Sequence, residues 1–293
     1  MPEAGLAAAL IVGGALAHAA WNLIVKATGA SGPHVITVAL VVSVVVFAPV
    51  GVPSLLASAA VTATWPLIAL GSAALHVGYF LLLQRGYRLA DVGVVYPLAR
   101  GTGPLLSVLG AVLVLGERPG LVTLTGAALI VLGVVVIGTA GGSLAGTIDA
   151  RARRRQGVLY GLAVGVLIAA YTVWDAAAVT TLAFEPVGYF WASLVGQLVL
   201  LSFLSARQPR LLLDAARRHG RAALGIGVLS PLAYLAILAA YGLAPVSVVA
   251  PARELSVVLV ALAGWWIFRE PHPLRRAVGS VVVVAGAAVL AFS

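Results

Sequence analysis

Two stretches of this chain set charge inside apolar sequence. In VVYPLARGTGPLL, Val94 to Leu106, Arg100 stands three residues after Pro97. In VVAPARELSVVLV, Val248 to Val260, Arg253 stands two residues after Pro251, with Glu254 next to it. A proline has no N–H for the carbonyl four residues back, so Pro97 and Pro251 predict helix breaks opposite Gly93 and Ser247. An arginine at the centre of a membrane helix costs about 2.5–3.5 kcal/mol on insertion scales and therefore needs a partner. Such groups can hold a polar substrate, guide an ion, or exchange protons with a nearby carboxylate. They can also be plain structural locks between helices, and the sequence leaves both readings open.

Partners are sought at helical spacing. His18, Asn22 and Lys26 follow one another at i, i+4 and i+8 and so share a face. An internal repeat places Tyr171 and Asp175 at the positions of His18 and Asn22, and Trp174 at that of Trp21. We expect an Asp175–Arg253 interaction, with Asn22 or His18 beside Arg100. Arg253 and Glu254 lie about 100° apart around a helix and need not pair with each other. Arg100, Arg253, Asp175 and Glu254 sum to zero charge, which suits a zwitterionic or neutral polar substrate better than a polyanion. Asp175 and Glu254 are the carboxylates that could couple proton exchange. His76 and Tyr79 (with Tyr87), Gln197 (with Tyr189 and Ser193) and Tyr234 (with Tyr241) form helical stripes, which serve packing as readily as a pathway. Lys26 is expected to reach for the headgroups. Trp265 and Trp266 suit a membrane-interface belt, and Glu117 and Glu270 end their helices as structural groups. Gly161 and Gly165 form a small-xxx-small pair that lets helices approach closely.

The elements that carry these residues follow from composition. Of 293 residues, 62% are hydrophobic and 9% charged, and the mean hydropathy is +1.10. Soluble domains are roughly half apolar and about a quarter charged, so the solvent for this chain is lipid. The net charge of +9 resides in short gaps between apolar runs, where arginines orient helices, and does not form a nucleic-acid-binding face. The absence of cysteine excludes disulfides, thiolate metal sites and cysteine nucleophiles. No cofactor or metal is implied. The start, MPEAGLAAALIVGGALAHAAWN, carries Glu3 instead of a basic n-region and reads as a retained first helix.

Ten apolar runs are long enough to cross a bilayer as helices: 4–26, 34–52, 65–85, 92–115, 121–140, 157–179, 186–205, 222–241, 246–268 and 274–292. The fold expected is an all-α membrane protein. At an offset of 153, Trp21 meets Trp174, Pro33 meets Pro186, Arg100 meets Arg253, Glu117 meets Glu270, Gly126 meets Gly279 and Gly133 meets Gly286. Residues 1–140 and 157–293 thus form two five-helix units joined by a basic linker, 141–156. Five is odd, so the second unit enters from the opposite face, giving an inverted repeat. Lysines and arginines of the loops fall 15 on one side and one, Arg118, on the other. That bias puts the basic loops in the cytoplasm and both termini outside.

AHAAWNLIVKATG, PLLSVLGAVLVLGERPGLVTLTGAALIVLGVVVIG and VVLVALAGWWIFREPHPLRRAVGSVVVVAGAAVL together resemble the EamA-type ten-helix carriers of the drug/metabolite transporter superfamily. The second half departs from the pattern with FREPHP in place of LGERPG, though Glu270 is kept. The resemblance implies an inner-membrane protein that exports or exchanges a small metabolite, and it names no substrate. Its partners would be the bilayer, a small molecule and, through the carboxylates, protons. Oligomeric state stays open. A flippase for a lipid-linked carrier would share the fold. An intramembrane enzyme using His18 and Asp175 finds no HExxH, GxSxG or GxxxxGK[ST] to support it.

Overall fold

The computed structural model describes residues 2–57, 64–90, 92–139, 148–269 and 272–292. They form α1 (Pro2–Thr28), α2 (Pro33–Ala57), α3 (Trp65–Leu89), α4 (Val92–Val114), α5 (Leu121–Gly138), α6 (Ile148–Thr180), α7 (Pro186–Ser205), α8 (Pro209–Tyr241), α9 (Val246–Ala252), α10 (Leu255–Phe268) and α11 (Pro273–Ala291). The pair α9–α10 makes one span, so ten helical runs are long and apolar enough to cross a membrane. Proline opens α2, α7, α8 and α11 at the first position, where its fixed φ fits a helix and its missing N–H would go unbonded anyway.

Three expectations need correcting. The supposed linker is helical from Ile148, so α6 begins well before 157, and residues 140–147 lie outside the described set. The polar stretch Ala206–Arg221 is mostly the opening of α8. Its DAARRHGR is made chiefly of residues that tolerate a helix, and hydropathy does not report them. Third, α4 runs unbroken through Pro97. Only one helical bond is lost there, and the ring nests against Gly138, where an added Cβ would stand 2.5 Å from it. The break beside Pro251 does occur, dividing α9 from α10 at Arg253 and Glu254. Glu270, expected to end its helix, lies outside the described residues.

Polarity is arranged for lipid. Trp266, Leu121, Leu56 and Phe292 point outward, while Thr37, Ser43, Ser72, Ser193, Ser256, Asp175 and Glu254 are buried. Buried hydroxyls hold helices together: Thr37 meets Ser205 at 3.0 Å, Ser72 meets Ser193 at 2.9 Å, and Ser43 donates to the Gly227 carbonyl at 2.8 Å.

The helix packing is regular. α4 lies along α6, and α5 along α11; α1 packs on α8, α2 on α7 and α8, and α3 on α6 and α7, while α9 and α10 meet α4 and α1. Exchanging each helix of the first half for its counterpart in the second reproduces this set of neighbours. Counterpart helices also cross antiparallel. Between α2 and α7, Thr37 meets Ser205, whereas the Ser54 hydroxyl, further along α2, accepts from the Gly188 amide near the start of α7. Between α5 and α11, Gly126 lies on Gly286 and Gly133 on Gly279, so closely that a Cβ on Gly133 would be 2.6 Å from the Gly279 carbonyl oxygen. Gly161 and Gly165 do the same for α6 on α4, where Leu98 and Thr102 fill the space.

Candidate functional site

A cavity of about 210 Å³ lies in the interior, lined by residues of both halves. α4 delivers Arg100 to it, and the break between α9 and α10 delivers Arg253. At that break the Arg253 amide still bonds the Val249 carbonyl at 3.1 Å and the Glu254 amide that of Pro251 at 2.9 Å. The chain therefore turns tightly there, which holds both charged side chains at a fixed place on the wall.

Glu254 sits between the arginines and is 1% exposed. One oxygen is 3.2 Å from Arg100 Nε and the other 3.7 Å from Arg253 Nε. Arg100 has further support, since its Nη2 donates to Ser256 Oγ at 3.3 Å and lies 3.4 Å from His18 Nε2. Arg253 has less. Its guanidinium stands 5.8 Å over the Tyr171 ring, and among the described residues its buried Nε and Nη2 have no hydrogen-bond partner, against Nε alone for Arg100.

A second cluster forms around Asp175, which is fully buried. Tyr189 donates to one carboxylate oxygen at 2.7 Å and Tyr234 to the other at 2.6 Å. His76 Nε2 lies 3.8 Å from the second oxygen, while its Nδ1 is 3.0 Å from the Ser72 carbonyl. A carbonyl can only accept, so Nδ1 carries a proton and Nε2 is the position that can gain one. His76 stacks on Tyr171 with centroids 4.3 Å apart, and Tyr79 and Tyr234 meet the Tyr171 ring edge-on. The remaining wall is mostly apolar, with Leu40, Leu194, Leu201 and Ile226 among its residues.

The cavity thus gathers Arg100, Arg253, His18, His76, Tyr79, Tyr171, Gln197 and Tyr234 along its wall. Glu254 stands behind Arg100, and Asp175 behind His76 and Tyr234. The expected Asp175–Arg253 pair is replaced: the tyrosine hydroxyls occupy Asp175, and the acid beside Arg253 is its own neighbour Glu254. The helix break changes the angle between adjacent side chains, which an ideal 100° step did not foresee. Of the two candidates for Arg100, His18 is the neighbour, since the Asn22 amide bonds the His18 carbonyl of its own helix at 2.7 Å. Trp174 faces away from the cavity. It is 39% exposed, its Nε1 donates to the Ile68 carbonyl, and its ring fills the space above Gly71.

Three contributors were not foreseen. Ser256 lies one helical turn beyond Arg253, a spacing that could have marked it. Trp21, one turn beyond His18, lines the cavity with a buried, unpartnered Nε1. Glu117 is more than a helix-ending residue, since its two carboxylate oxygens accept from the Val246 amide at 2.6 Å and the Ser247 amide at 2.9 Å. It caps α9 from the α4–α5 connection and so fixes the element that ends in Arg253.

The sequence matches the EamA-like transporter family over residues 5–139 and again over 155–292. Over 46 residues it is 41% identical to the probable 4-amino-4-deoxy-L-arabinose-phosphoundecaprenol flippase subunit ArnE of Erwinia tasmaniensis. That stretch is 16% of this chain and 43% of the relative, so the chain spans less than half the relative's length. A solved crystal structure, described only as that of a protein, superposes with a TM-score of 0.75 over 97% of this chain and 95% of its own, at 20% identity. At that identity the likeness shows the fold alone.

Proposed function

The chain belongs to the EamA-like transporter family, a multi-pass membrane protein, and we propose that it carries a small polar or zwitterionic metabolite across the cytoplasmic membrane. The observation that carries this reading is the interior cavity whose wall holds two arginines sharing one buried carboxylate. Buried charge of this kind is expensive in a membrane protein and marks a substrate or ion route. We propose further that the halves are an inverted repeat, 1–140 and 157–293, that rock about the cavity to open it alternately to each side. The antiparallel crossings of α2 with α7 and of α5 with α11 support this. In the proposed orientation the basic loops are cytoplasmic and the termini external.

His76 and Asp175 are the groups best placed to couple a proton. The groups around His76 are Asp175 and Tyr171 from α6 and Tyr234 from α8, with Ser72 on its own helix. A proton on Nε2 would give an imidazolium facing the carboxylate, an ion pair next to the wall that substrate touches. Purified protein in liposomes loaded with a metabolite mixture tests both parts. Protein-dependent release of a soluble metabolite is expected, faster with a pH gradient; release that ignores the gradient removes the coupling, and no release removes transport.

The similarity to ArnE favours a second reading, a lipid-linked-carrier flippase. Against it, drug-sized ligands occupy pockets of about 300–1,000 Å³, and this cavity is smaller. Transbilayer movement of a short-chain lipid-linked sugar by the liposomes, with no release of soluble metabolite, would establish it.

A further inference from the structure

The charges around the cavity do not balance locally. Arg100 and Arg253 both face Glu254, two cations against one anion, and arginine stays charged in proteins. Asp175 adds a carboxylate but stands in a separate cluster, its close partners being Tyr189, Tyr234 and His76 and neither arginine. The deficit is greater at Arg253. Arg100 leaves only its buried Nε without a hydrogen bond and has Ser256 and His18 at Nη2, whereas among the described residues both Nε and Nη2 of Arg253 are buried with no hydrogen-bond partner. A buried donor left unbonded costs free energy, the more so when charged.

Resting on the transport reading above, we propose that the substrate carries one carboxylate and that Arg253 receives it in the cavity, with an apolar or aromatic body against the opposite wall. A guanidinium presents paired N–H groups in a plane that matches a carboxylate bidentately. A single negative charge restores local neutrality, whereas a phosphate dianion would overshoot it. The body is indicated by Leu40, Phe190, Leu194 and Ile226, which give the wall no charge to satisfy. The Trp21 Nε1, also buried and unpartnered, offers a single donor for one acceptor on that body. A substrate with a carboxylate at one end and few further acceptors fits the unused donors of Arg253 and Trp21.

The test uses matched probes on the full-length protein in detergent: 4-methylpentanoate and phenylacetate against their primary amides, and leucine against leucinamide. The acids should raise the melting temperature by roughly 3 °C at tenfold excess over Kd, and the amides should not. R253Q should abolish the acid response, and R253K, which keeps the charge but loses the fork, should retain part of it. Size exclusion and the unliganded melting temperature establish that each variant is folded. Amides that stabilise as well as acids, acid stabilisation surviving in R253Q, or no response to any acid at millimolar concentration would each overturn the assignment. The liposome release assay separates this from the broader reading: a released metabolite without a carboxylate sinks the carboxylate site and leaves transport standing. No release at all sinks transport.

Discussion

Arg100 and Arg253 occupy equivalent places in the two halves and live differently. The first sits on an unbroken helix with Glu254, Ser256 and His18 around it; the second sits at a helix break with the shared acid 3.7 Å away and the Tyr171 ring beneath it. At the repeat offset the counterpart of Glu254 is Gly101, and that of Asp175 is Asn22. Among the described residues, both buried carboxylates of the site therefore belong to the second half. The repeat supplies a symmetric pair of cations, and among the described residues the second copy supplies the anions that divide them into a braced arginine and an available one.

Removing the divider should have the largest effect. Glu254→Gln leaves two guanidiniums facing each other without an anion, and a loss of about 3–5 kcal/mol is expected, read as a fall in thermal stability, together with loss of flux. A smaller and sharper contrast lies between the arginines. Arg100→Gln should lower stability by about 1.5–3 kcal/mol, since it forfeits hydrogen bonds to a charged group, while Arg253→Gln should lower it much less and yet stop substrate binding. Equal stability losses in the two variants would erase the distinction between braced and available. Asp175→Asn should cost about 1–3 kcal/mol, against less than about 0.5 kcal/mol for Asn22→Ala, whose side chain serves only its own helix. Last, Glu117→Ala frees the Val246 and Ser247 amides, and about 1 kcal/mol should be lost with faster hydrogen exchange at those two positions.

The spans were legible because a bilayer demands long apolar runs, and Arg100 and Arg253 stood out because lipid makes such residues rare. Where a helix continues past the lipid, as in the first part of α8, hydropathy is silent and the helical segment went unseen. The site's membership was largely readable, its pairings were not. Which oxygen meets which nitrogen depends on how α6, α8 and α9 pack, and on a break that rotates Glu254 toward both arginines. Trp174 shows the same limit: the repeat equates it with Trp21, yet the two indoles look to opposite sides of the bundle wall.

The glycine crossing of α5 and α11 carries one more implication. An added methyl at Gly126, Gly133, Gly279 or Gly286 would meet a backbone oxygen of the other helix within 3.0 Å. Main chain touching main chain resists displacement there, so under the rocking motion proposed above the smallest movement is expected along that line. The pivot of such a motion would be made of the chain's smallest residues.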